Sequence, residues 1–228
     1  MAGTIELAAF LPYVLRHLPG CPHFVAESYL RMAAIEFCER TRCWRKITTV
    51  DLTDENTEAL VAPYHAAIHQ IEYASFSSGS HAKTPLTPTQ YSDIAERHRA
   101  DLEQEGPPRY ITQVNPNTVT VFPLTAGELE VSLFLKPRMG QEFAAPVTPD
   151  RPIADAFNIV PDFLLTQWGE AISDGALAKA LLQPQTQWYD PQRAGYFEAR
   201  FERACDSKFA QSLRGQQRAP KRTRFRFV

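Results

Sequence analysis

"PDFLLTQWGEAISDGALAKALLQPQTQWYDPQRAGYFEARFERACDSKFAQSLRG", residues 161–215, holds two helical patterns in close succession. The first starts at a proline and carries Leu164, Leu165, Trp168, Ile172, Leu177, Ala180 and Leu181, mostly at steps of three and four. In the second, Asp190 is placed to cap the first turn and Pro191 suits its opening position. Ala194, Phe197, Phe201, Cys205, Phe209 and Leu213 form one stripe, and Gly215 is a stop signal. Only "PQTQWY" separates the two, which predicts a helical hairpin with Trp168 and Phe201 packed inside a helical body.

The other strong helical pattern lies near the start. "TIELAAFLPYVLRHLPG" (4–20) reads as a short helix interrupted at Pro12 and stopped by Pro19-Gly20. In "CPHFVAESYLRMAAIEFCERTRCWR" (21–45), Pro22 suits the first turn, and Ala26, Leu30, Ala33, Phe37, Cys38 and Thr41 share a side, with Glu27, Arg31, Glu36, Glu39 and Arg40 facing water.

Between the helical ends the pattern turns to period two. "ITTVDL" and "AAIHQIEYASF" (66–76) read as strands, 77–88 as a loop, and 89–105 as a short helix opened by Thr87-Pro88. Residues 106–138 hold strands at about 109–114, 118–122 and 128–136, in the order of a β-meander. A Pro-rich connector covers 141–161. The expected fold is α+β: a helical body from residues 1–46 and 141–215, an inserted small antiparallel β domain at 47–140, and an extended basic C-terminal arm at 216–228.

Composition limits the function classes. The chain has 228 residues, 44% apolar and 22% charged, enough for a real core. Its formal net charge is −2, and "RAPKRTRFRFV" (218–228) carries five cations and no acid, leaving −7 on the rest. An acidic body is a poor match for a phosphate backbone, whose binding needs many Lys and Arg contacts. No apolar run is long enough to span a bilayer, and no secretion signal opens the sequence.

Candidate chemistry is sparse. Cys21-x-His23 with Cys38-x4-Cys43 has the residue types of a metal set, but zinc sites usually bring paired ligands on tight turns, whereas Cys38 and Cys43 lie on or at the end of a helix and Cys21 precedes it, so they read as core and surface thiols. His65 and His69 lack the Glu of a helical zinc-protease motif and fall on a predicted strand as solvent-facing positions. Glu36, Glu39, Asp54 and Glu58 read as wet carboxylates. No phosphate loop or nucleophile elbow occurs, so no catalytic residue, metal ligand or cofactor is assigned.

Three stretches in fixed succession carry a resemblance over about residues 10–210: the proline-started helix ending in "FCERTRCW", the hairpin "YITQVNPNTVTVFP", and "PDFLLTQWGEAISDGALAKAL" followed by "WYDPQRAGYFEARF". Together they resemble head-to-tail connector (adaptor) proteins of tailed bacteriophages. The resemblance implies a structural virion protein, not an enzyme, assembled in the host cytoplasm and placed in the neck at the head-tail junction. Its implied partners are the portal protein, tail or nozzle proteins, and itself in a ring, commonly a dodecamer. DNA is then only the passing genome, and no membrane is involved.

The resemblance also implies a use for the arm, since adaptors grip the portal with a C-terminal segment. In an extended chain Lys221, Thr223, Phe225 and Phe227 fall on one side and Arg222, Arg224, Arg226 and Val228 on the other. Aromatic anchors backed by guanidinium forks suit strand addition in a groove with acidic walls. The rival readings are a nucleic-acid-binding packaging protein, using the same tail for phosphates and base stacking, and a cell-wall hydrolase, for which no acid/base pair stands out.

Overall fold

A computed structural model describes residues 3–53, 58–78, 83–97, 106–139 and 158–213. In chain order the helices are α1 (Leu11–Leu15), α2 (His23–Thr41), α3 (Tyr91–Arg97), α4 (Asp162–Ala180) and α5 (Pro191–Leu213). The strands are β1 (Thr4–Glu6), β2 (Arg45–Leu52), β3 (Ala59–Leu60), β4 (Ala66–Ser77), β5 (Thr84–Pro85), β6 (Thr87–Pro88), β7 (Tyr110–Asn115), β8 (Thr118–Phe122), β9 (Gly127–Pro137) and β10 (Ile159–Pro161). The fold is α+β. It divides into two compact units: the chain up to Cys43 joined by the chain from Pro161, and Trp44–Val160.

In the helical unit, α2 buries Ala26, Leu30, Ala33, Ala34, Phe37, Cys38 and Thr41. Phe37 is fully buried, its ring 5.4 Å from that of Trp168 on α4 and 6.3 Å from that of Phe201 on α5. One aromatic contact thus joins three helices drawn from both ends of the chain. The hairpin closes tightly because residue 175 is glycine: a Cβ there would sit 2.7 Å from the Phe201 ring. Asp190 caps α5, its Oδ1 accepting the Arg193 amide at 3.1 Å. Lys179 of α4 pairs with Glu36 of α2 at 2.6 Å.

Two readings of this unit are corrected. Pro12 does not interrupt a helix; it lies in the first turn of α1, preceded by the 3-10 turn Leu7–Phe10, where its missing N–H costs nothing. Arg31 does not face water. It is buried beside Leu30, because a long aliphatic stem lets an arginine cover apolar surface.

Among the described residues the β unit has two four-stranded sheets, ordered β2-β9-β4-β5 and β3-β8-β7-β6. β9 is central in the first, with Arg45 opposite Phe134 on the β2 side and bulges near Gln70 and Tyr73 on the β4 side. Leu129, Val131, Leu133 and Leu135 lie at steps of two and are fully buried, so one face of β9 forms the core.

The meander is therefore a misreading. β7 and β8 do form an antiparallel hairpin, from Tyr110↔Phe122 to Asn115↔Thr118, but β9 leaves for the other sheet. β9 has 11 residues against 5 in β8, while β2 and β4 have 8 and 12, so only those neighbours can satisfy its backbone groups over most of its length. The change of sheet happens at Gly127, where a Cβ would lie 2.5 Å from the Ser77 carbonyl oxygen.

Candidate functional site

The arm residues Lys221, Arg222, Arg224, Phe225, Arg226, Phe227 and Val228 lie outside the described residues, as do Asp54 and most of the 141–161 connector.

The helical unit carries a cleft of about 450 Å³ between α1, α4 and α5, lined by residues that include Tyr13, Arg16, His17, Glu170, Ser173, Asp174, Tyr196 and Arg200. α4 turns Ser173 and Asp174 toward the bundle, and both are buried. Arg200 reaches across the hairpin, Nε to Asp174 Oδ2 at 3.0 Å, with its guanidinium 5.8 Å from the Tyr196 ring centre. Burial pushes the Asp174 carboxyl up to about 6, against the opposing pull of Arg200. The half-exposed Arg200 gains from the same pair and is pushed above its ordinary value chiefly by Asp174. Both directions agree with one picture: the carboxylate bears the desolvation and the guanidinium does not.

A serine, a histidine and an aspartate in one cleft invite comparison with a hydrolase triad, and the geometry does not match one. Asp174 is engaged by Arg200, not by the imidazole. His17 meets Arg193 at Nδ1 (2.9 Å) and receives the Arg16 Nε–H at Nε2 (3.1 Å), and burial followed by these two charges holds it below its ordinary range. Ser173 Oγ is buried without a hydrogen-bond partner. A working triad needs serine to imidazole and imidazole to carboxylate bonds, and neither link is formed here. The polar groups of the cleft are paired with arginines instead: Asp174 with Arg200, and His17 with Arg16 and Arg193.

The β unit carries a more apolar groove of about 500 Å³, lined by Glu58, Tyr91, Gln113, Val114, Thr120, Phe122 and Leu124. Tyr91 of α3 packs against Phe122 at 6.0 Å. Val114, Tyr91 and Leu124 stay about half exposed, and Glu58 accepts from Asn115 Nδ2 at 3.0 Å. Glu58 is thus tied into the hairpin end. On the other sheet, Ile47 of the outer strand β2 is 63% exposed, and on α2 Phe24 is 74% exposed. Apolar side chains left in water near open strand edges are features of contact surfaces.

The remaining candidates fall as follows. Cys21 is buried before α2, while Cys38 and Cys43 meet at its end; among the described residues no group of three or more His, Cys, Asp or Glu side chains is placed to hold a metal. His65 is only partly exposed and stacks on Trp44 at 5.8 Å; His69 lies on β4 and is also partly covered. Both depart from the solvent-facing reading. Glu36 is an ion-pair partner of Lys179 and Arg40. No helix among the described residues is long and apolar enough to cross a membrane. Sequence reasoning missed the Asp174–Arg200 cleft, whose only signal was two charges inside otherwise apolar helix faces.

No curated protein matches the chain. A family model, described as SU10 adaptor protein, matches residues 8–224.

Proposed function

Since the chain belongs to the SU10 adaptor protein family, a phage structural family, we propose that it assembles as a ring, commonly of twelve copies, beneath the portal protein and joins that portal to tail or nozzle proteins. One observation carries the reading: the match runs through both helical ends and the whole β unit, so the complete architecture belongs to the family type. The place of action is the neck of the virion, and DNA passes through without being read. The acidic charge outside the arm supports this, because a ring lining a DNA path works best when it does not grip phosphates.

The arm is the portal-binding element in this proposal. Phe225 and Phe227 act as anchors, Lys221, Arg222, Arg224 and Arg226 pair with acidic groups, and Val228 adds an apolar contact. The test is capture on immobilised portal. Removing residues 219–228 abolishes capture, Phe225→Ala with Phe227→Ala does nearly the same, and changing the three arginines to lysine gives an intermediate loss because the bidentate fork is gone. Full capture by the truncated protein, together with loss of a DNA mobility shift, would instead favour the packaging reading.

A further inference from the structure

The end of α2 brings two thiols together by a backbone device. Arg42 is left-handed (φ 52°, ψ 34°), and its amide donates to the Cys38 carbonyl at 2.9 Å. The chain therefore turns between Cys38, which supplies that carbonyl, and Cys43, which follows the left-handed residue, and the two side chains share a hydrogen bond. Cys205 of α5 is a close third. Cys38 and Cys205 are buried, whereas Cys43 is partly open to water, and all are free thiols. The charge of Lys208 reaches Cys43 from α5.

We propose that Cys43 is a thiol-modification site for small-molecule disulfides of the glutathione type, and that Cys38 resolves the adduct into a Cys38–Cys43 disulfide across the helix cap. The first step needs a thiolate. Cys43 is held below its ordinary range by the hydrogen bond from Cys38, opposed by burial and helped by the charge of Lys208. Cys38 is pushed up, first by that same bond and then by burial, and burial pushes Cys205 up to about 12, so both remain thiols at neutral pH.

The chemistry balances. Cys43 gives its proton to water and its sulfur attacks one sulfur of the small disulfide; that S–S bond breaks, and one small thiolate leaves and takes up a proton. The Cys43 sulfur, now uncharged, no longer holds the Cys38 proton. Cys38 then deprotonates, attacks Cys43 Sγ and expels the second small thiol. Two protein thiols are oxidised to one disulfide while one small disulfide is reduced to two thiols. The product ties the last turn of α2 to the residue that follows its cap.

The experiment treats the full-length protein at pH 7.5 with oxidised glutathione and follows intact mass and disulfide-mapped peptides. The expected course is a transient glutathione adduct on Cys43, replaced by a Cys38–Cys43 disulfide with net loss of two hydrogens and restored by dithiothreitol. Cys43→Ser slows the first modification on the order of tenfold or more. Cys38→Ala leaves the adduct standing on Cys43; if that buried change prevents folding, the wild-type peptide map decides alone. A first adduct on Cys21 or Cys205, a Cys43 adduct that persists in the wild type, or a Cys43–Cys205 disulfide would each overturn the assignment.

Discussion

The two units solve the same packing problem from opposite positions in the chain. The β unit is one uninterrupted run whose core, Leu129, Val131, Leu133 and Leu135 with their sheet partners, is aliphatic and built strand against strand. The helical unit is made from two runs with that whole unit between them, and its core turns on one aromatic contact, Phe37 with Trp168 and Phe201. Bringing distant segments together costs loop-closure entropy in both units, since β2 pairs with β9 across most of the β run. The sheet offsets that cost with a ladder of backbone bonds as well as side chains, whereas the helical unit relies on side-chain contacts such as this aromatic one.

The largest loss of stability is expected at Phe37. Phe37→Ala removes a fully buried ring and should cost about 3–5 kcal/mol, with the helical unit lost first. Urea melts with limited proteolysis check it: the expected protected fragment starts near Trp44 and ends near Val160. Simultaneous loss of both units would show that the β run does not stand alone.

Two glycines, one in each unit, come next. At Gly127 an added methyl meets the backbone oxygen of Ser77 at 2.5 Å, whereas at Gly175 it meets only the Phe201 ring at 2.7 Å. A ring can shift by rotation and a hydrogen-bonded strand cannot. Gly127→Ala should therefore cost about 2–3 kcal/mol and Gly175→Ala about 1–2 kcal/mol, measured as thermal or urea shifts. The reverse order would mean that the helical hairpin is the less yielding of the two.

The parts of the fold legible in the sequence were those decided by local periodicity. The buried side of α2 follows from apolar residues at steps of three and four, and the ends of α4 and α5 follow from Pro161, Asp190 and Pro191. What periodicity does not encode is the choice of neighbour. Succession in the chain favoured pairing β9 with β8, and matched lengths sent it to β2 and β4 instead. Arg31 was misplaced because its charge was counted and its stem was not. Cys38 and Cys43 looked unconnected because the left-handed turn between them falls on Arg42, a residue that does not advertise it. Asp174 finds Arg200 only once α4 and α5 have a fixed rotation, which no window of sequence contains.

A smaller effect tests whether the hairpin that closes the helical unit relies on its cap. Asp190→Ala removes the acceptor for the Arg193 amide and should lower stability by about 1 kcal/mol in a urea melt. No change would place the burden of starting α5 on Pro191 alone.

The smallest effect depends on pH and distinguishes the cleft from the apolar contacts around it. Asp174 titrates near 6 in the folded chain against 3.8 as the ordinary value, so the folded state holds its proton more tightly. That contribution is complete below the unfolded pKa, and it is lost as pH rises through the folded one. Arg200 limits the loss by attracting the carboxylate, but its guanidinium is partly in water, so the pair is worth less than about 1 kcal/mol. Arg200→Ala should thus lower stability slightly at pH 7.5, where Asp174 is ionised and left buried without its cation. At pH 4.5 the carboxyl is mostly neutral in the folded state of both proteins, and the difference should nearly vanish. Melts at the two pH values, with Phe37→Ala as a control whose deficit hardly changes, separate an electrostatic cleft from one held by packing. A deficit for Arg200→Ala of equal size at both pH values would assign its role to the covering of the Tyr196 ring instead of the charge on Asp174.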